Sequence, residues 1–178
     1  NSNKPPKFID VLKILSNELF EGGQALVFLP DVDEQNLSIA LSTTSEESKP
    51  KISLLLSENP SKVAASYQNN EAIVLEAADT NIKVADLQIL KALGKTALLC
   101  DPVIYKNKVV ALVVFGVNEM GGKAYLQETT LRNTLHQLYI EQEVLTAHSA
   151  INNQEFYYQQ KIREAVHEAN NPLSIIKN

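Results

Sequence analysis

From Lys123 to the end of the chain the apolar residues recur at helical spacing with no strong stop signal, and nothing else restricts the fold as much. Read as one helix, the stretch would run about 55 residues, or roughly 80 Å. So long a helix cannot bury its apolar stripe against one small domain, so the pattern demands a partner chain. Leu131, Leu135, Leu138, Gln142 and Leu145 make one seam; Ile140, Val144, Ala147, Ile151 and Tyr158 make another. The stripe turns polar from Ser149 to Asn153, where the packing is expected to be least stable. Further on, Ile162, Val166, Ala169, Leu173 and Ile176 step by four, three, four and three, the spacing of a helix packed on a helix. His167 lies about 100° round from Val166, at the flank of that seam and within reach of solvent. Glu168 follows it, and Pro172 removes one backbone hydrogen bond and kinks the run.

Ahead of this helix the chain alternates short elements. Asn1 to Pro6 reads as a loose leader. Phe8 to Phe20 carries apolar residues at helical spacing, and Gly22-Gly23 stop it. Gln24–Pro30 and Asn36–Thr43 are strands joined by the polar turn Asp31–Gln35. Ser42–Pro50 is a solvated loop, and Ile52–Leu56 a short strand or a helix start. Asn59-Pro60 has the form of an N-cap followed by proline at the first helical position, opening a short helix that Asn69-Asn70 end. Glu71–Leu75 is a strand and Lys83–Leu93 a helix closed by Gly94. Lys95–Tyr105 and Lys108–Val117 are two strong strands joined by a two-residue turn, Lys106-Asn107.

Composition narrows the class. With 44% hydrophobic and 21% charged residues the 178-residue chain can build a core, so it is globular. A net charge of −5 without a Lys/Arg cluster disfavours a nucleic-acid partner. The longest apolar run, Val109–Val117, is too short to span a bilayer, and no signal peptide is expected. The single Cys100, mid-strand, excludes an internal disulfide, fits a reducing compartment and reads as a buried structural thiol. His136 and His148 are twelve residues apart on the helix; they read as coiled-coil surface, without a metal site. Asp31, Asp33 and Glu34 lack the glycine and distal glutamate of a calcium loop and read as a solvated turn. Gly22-Gly23 and Gly121-Gly122 read as helix boundaries, so no phosphate-cradling loop is expected.

Two segments resemble known families. His167-Glu168, Asn171-Pro172-Leu173 and the surrounding apolar positions resemble the H-box of sensor histidine kinases, over roughly the last 17 residues. Residues 8–117 resemble a GAF domain in the order of their elements. Ser61-Lys62-Val63-Ala64 opens the internal helix, and Glu71–Leu75 precedes a loop with Asp79. Leu93–Leu99 leads into Asp101-Pro102-Val103 and the strand Val109–Gly116. The related PAS fold lacks the long N-terminal helix and the double-strand finish.

The resemblance implies an α+β fold: a GAF-like antiparallel sheet flanked by helices, followed by a long coiled-coil signalling helix. The expected divisions are a leader (1–7), a GAF-like sensor domain (8–122), the helix (123–160) and the opening of a dimerisation and phosphoacceptor domain (161–178). It implies that His167 is the phosphoacceptor and Glu168 the general base, since a neutral imidazole is nucleophilic near pH 7 and a carboxylate can take its proton. Glu168-Ala169-Asn170-Asn171 matches the Glu-x-x-Asn pattern of kinases that also dephosphorylate their response regulator. Asn171 then either orients a water for that step or merely relaxes the helix before Pro172. ATP and Mg are expected in the catalytic domain of a longer parent chain, so that these 178 residues alone would be inactive. The expected partners are a second copy of the chain, a response-regulator receiver domain and a small molecule in the GAF pocket, all in the cytoplasm. The alternative is a non-catalytic GAF dimerisation or ligand-binding module whose helix docks a partner.

Overall fold

The computed structural model describes residues 6–146 and 160–166. Helix α1 (Phe8–Glu18) buries Phe8, Leu12 and Ser16, spaced by four residues along one face. Strands β1 (Ala25–Pro30) and β2 (Asn36–Ser42) form a hairpin. Its turn is held by Asp31, whose Oδ1 accepts the backbone N–H of Gln35 at 2.9 Å and of Asn36 at 3.1 Å. Residues 52–56, left open between strand and helix, contain strand β3 (Ser53–Leu55).

Helix α2 (Lys62–Asn69) is capped by Ser61, whose Oγ accepts the Ala64 N–H at 3.1 Å. This corrects the cap expected at Asn59-Pro60: Pro60 precedes the cap, and Asn59 Oδ1 instead accepts from Lys83 Nζ at 3.0 Å. Asn70, with φ 51°, closes α2. Strand β4 (Ile73–Glu76) and helix α3 (Val84–Leu93) follow, the latter closed by Gly94 at φ 69°, a left-handed position where glycine carries no Cβ penalty. Strands β5 (Ala97–Tyr105) and β6 (Lys108–Val117) meet at Lys106-Asn107, both at positive φ as a type I′ turn requires.

Helix α4 (Glu119–Gln127) starts at the cap Asn118 and runs through Gly121-Gly122, which the sequence had marked as a boundary. A Cβ on Gly122 would lie 3.0 Å from methyls of Val117 and Val74, so the glycine lets the helix lie close to the sheet. Glu128, at ψ 74°, then breaks the helical path before α5 (Thr129–Tyr139) and a π-helical segment, Ile140–Leu145. The described residues therefore do not carry one uninterrupted helix from Lys123. The seam expected through Gln142 crosses backbone whose hydrogen bonds reach i+5 rather than i+4, which shifts the residues that share a face. Residues 160–166 are helical. The chain divides into two compact units after Gln137.

All strands among the described residues pair antiparallel in one six-stranded sheet, in the order β3-β2-β1-β6-β5-β4. Alternate residues of each strand face opposite sides. Leu26, Phe28, Leu98, Cys100, Leu112 and Val114 join Val63, Ala64, Ile89, Leu90 and Leu93 in one buried cluster beneath α2 and α3. Directly paired residues share a face, so Val27, Val113, Leu99 and Asp101 look to the other side, with Ala25 and Phe115. There Phe20, Phe115 and Tyr125 stack with ring centroids 5.0–5.8 Å apart.

Candidate functional site

His167, Glu168, Asn171 and His148 lie outside the described residues. Immediately before them, Ile162 and Val166 of the expected seam are exposed at 64% and 55%. What the described residues bring together is polar chemistry on the two faces of the sheet.

On the α2/α3 face, Asp86 is fully buried in the first turn of α3. Its Oδ2 accepts the N–H of Lys62 and of Lys83, each at 3.0 Å, and its Oδ1 accepts the N–H of Val63 at 2.9 Å. One carboxylate thus satisfies donors at the starts of two helices, where the dipoles favour negative charge. It ties together the helices that roof this side of the sheet. Beside them a cleft of about 210 Å³ opens between α2 and edge strand β4, lined by Lys62, Ser66, Asn69, Glu71, Asp79 and the strip Ile73–Leu75. Ser66 Oγ–H donates to the Glu71 carbonyl at 2.6 Å, and Asp79 Oδ2 accepts the Glu76 N–H at 2.8 Å. The remaining polar lining is an ammonium, an amide and a carboxylate, a set that suits a small polar ligand.

Cys100 is fully buried on the α2/α3 face. Burial, with the charges of Asp86 and Asp101, pushes its thiol far above the usual range, so it is an unreactive packing residue as expected.

The opposite face carries the cluster that sequence reasoning missed. Asp101 of β5 is wholly buried. Its Oδ1 accepts from Arg132 Nη2 at 2.8 Å; its Oδ2 accepts from the Tyr125 hydroxyl at 3.0 Å and meets His136 Nε2 at 2.7 Å. An ionised carboxylate only accepts, so His136 carries its proton on Nε2 in this contact. Burial opposes ionisation of Asp101, but the bonds from His136 and Arg132 outweigh it and hold the carboxyl below its usual range. Burial and the Asp101 charge raise the Tyr125 hydroxyl well above its ordinary value. His136 is therefore no surface residue of a coiled coil: its side chain is 17% exposed and faces the sheet. The available signal was the Arg132/His136 spacing of four beside buried Leu135, the mark of a helix face turned to a polar core group.

Among the described residues no group of three or more His, Cys, Asp or Glu side chains could hold a metal ion, and no helix is long and apolar enough to cross a membrane. No family model matches the chain, and no curated protein is significantly similar to it. Solved structures are similar in fold. The GAF domain of an Acinetobacter phosphoenolpyruvate-protein phosphotransferase has 24% identity and a TM-score of 0.51, covering 78% of this chain and 86% of that one. The GAF domain of the Coxiella burnetii phosphoenolpyruvate-protein phosphotransferase has 17% identity and a TM-score of 0.56, covering 82% and 89%. The GAF domain of a two-component sensor histidine kinase from Bacillus halodurans has 19% identity and a TM-score of 0.51, covering 84% and 95%. The order of elements, the single antiparallel sheet and these likenesses agree on one architecture: the chain has the α+β fold of a GAF domain.

Proposed function

We propose that this chain is the sensory region of a two-component sensor histidine kinase, in which a GAF input acts through a dimeric helix on the phosphoacceptor His167. The observation that carries the reading is the coincidence, in one register, of His167-Glu168, Asn171-Pro172-Leu173 and the apolar seam, downstream of a GAF fold. His167 is the nucleophile toward the γ-phosphate of ATP and Glu168 its general base. ATP and Mg are supplied by a catalytic domain of the parent protein. The exposure of Ile162 and Val166 supports pairing with a second copy, since a monomer leaves that apolar stripe in water. A small polar ligand in the α2/β4 cleft is the input, a response-regulator receiver domain the output, and the cytoplasm the compartment.

The test is phosphate transfer. Supplied with the parent's catalytic domain and ATP, the chain gains acid-labile phosphate, and His167→Gln abolishes it without changing the dimeric mass by light scattering. Labelling that survives the substitution moves the site elsewhere; no labelling at all favours the non-catalytic dimerisation or ligand-binding module. Asn171 lies four residues from His167, so a helix there puts both on one side. In the parent protein, Asn171→Ala leaves autophosphorylation nearly unchanged and slows loss of phosphate from the regulator roughly 10- to 100-fold. Equal loss of both activities assigns Asn171 to the helix shape before Pro172.

A further inference from the structure

Asp101 is a carboxylate buried in an apolar sheet face, between Leu99 and Val103 along β5 and paired with Val113 across it. A buried charge is tolerated only when its partners are in place. Those partners come from both sides of the break at Glu128: Tyr125 belongs to α4, Arg132 and His136 to α5. Arg132 also reaches back across the break to the Leu126 carbonyl, at 3.5 Å. The break is itself a joint, for Glu128 leaves the helical region while its N–H still bonds Tyr125 O and its carbonyl accepts the Arg132 N–H. One carboxylate thus holds two helices at a fixed angle on the sheet. Arg132 Nε is buried and makes no hydrogen bond to another described residue, so the guanidinium holds the carboxylate through Nη2.

The strand that carries the clamp also walls the other core. Cys100 and Asp101 are consecutive and face opposite sides of β5, so any shift of the strand on the α2/α3 side moves the carboxylate. We propose that Asp101 is a releasable clamp across the Glu128 joint, transmitting displacement of β5 from its Cys100 face to α5, which leads in sequence towards His167. The inference builds on the reading of the chain as an input module, but its test needs no phosphate transfer, so labelling at His167 and release of α5 fail or succeed separately.

The experiment is amide hydrogen exchange on the full 178-residue chain. Asp101→Asn lowers the protection of residues 129–136 by about tenfold or more, while β1 and β6 keep theirs within about threefold. His136→Gln, which retains a side-chain N–H donor, keeps most of the protection of α5; His136→Ala does not. Cys100→Met, which adds bulk on the far side of the strand, lowers protection in α5 more than in β1. Equal loss in α5 and β6 on Asp101→Asn, or no loss in α5, overturns the clamp. An unmoved α5 in Cys100→Met overturns the transmission. Should Asp101→Asn not fold, His136→Ala with Tyr125→Phe reads the same pattern under the same criteria.

Discussion

Replacing Asp86 by asparagine tests whether one buried carboxylate holds α2 and α3 together. The aspartate accepts three backbone N–H groups, two on Oδ2 and one on Oδ1. Asparagine keeps the shape but only one acceptor oxygen. Its best orientation retains the bonds from Lys62 and Lys83 and turns an amide N–H₂ toward the Val63 N–H. One charge-assisted hydrogen bond is lost, about 1.5–3 kcal/mol, and a buried donor is left facing another donor, about 1–3 kcal/mol more. Asp86 is wholly enclosed, so water does not repair the loss. The expected destabilisation is about 3–4 kcal/mol, or roughly 10 °C in the midpoint of thermal unfolding for a domain of this size. Urea and thermal denaturation of the two proteins measure it, with Asp79→Asn as a control that makes the same charge change at a carboxylate bonded to one N–H. A loss below about 1 kcal/mol, or one no larger than the control's, would refute the view that this carboxylate ties the two helices.

Three further outcomes follow from the same geometry. The Asp101 carboxyl is held below its unfolded value, so its stabilisation is present above that value and lost as pH falls through the lower, folded one. The loss of amide protection in residues 129–136 on Asp101→Asn should hold from pH 7 to about 5 and shrink below about pH 4; a loss that grows on acidification contradicts the assignment. Gly116→Ala should cost at least about 2 kcal/mol in denaturant unfolding, because its Cβ would sit 2.8 Å from both the Cβ and the backbone oxygen of buried Leu93. Cys100 should resist alkylation by iodoacetamide in the native state at pH 8 and react fully in denaturant, as mass spectrometry would show; rapid native reaction would mean the strand opens.

Much of the architecture was legible in the residues. Two long apolar runs and the Lys106-Asn107 turn defined β5 and β6, because a type I′ turn admits few residue pairs and a strand buried on both faces reads as a near-continuous apolar run. Gly94 ended α3 for a local reason, its left-handed φ. These are short-range constraints, written in neighbouring residues. The apolar seam from Ile162 to Ile176, with His167 at its flank, is likewise an expectation from local spacing, and all of it past Val166 lies outside the described residues.

Where tertiary contacts decided, local pattern misled. Gly121-Gly122 looked like a helix end, but the missing side chains let α4 approach Val74 and Val117. Asn59-Pro60 looked like a cap, while the cap chosen was Ser61, whose hydroxyl meets Ala64 N–H as α2 starts under the grip of Asp86. The helical run after Lys123 looked unbroken because periodicity cannot register a demand from a residue far away in sequence. Asp101 makes that demand. Its buried charge must collect Tyr125 from one side of Glu128 and Arg132 and His136 from the other, and only a bent path brings all three to it. Spacing alone made His136 a surface residue; a carboxylate 35 positions earlier made it part of the core.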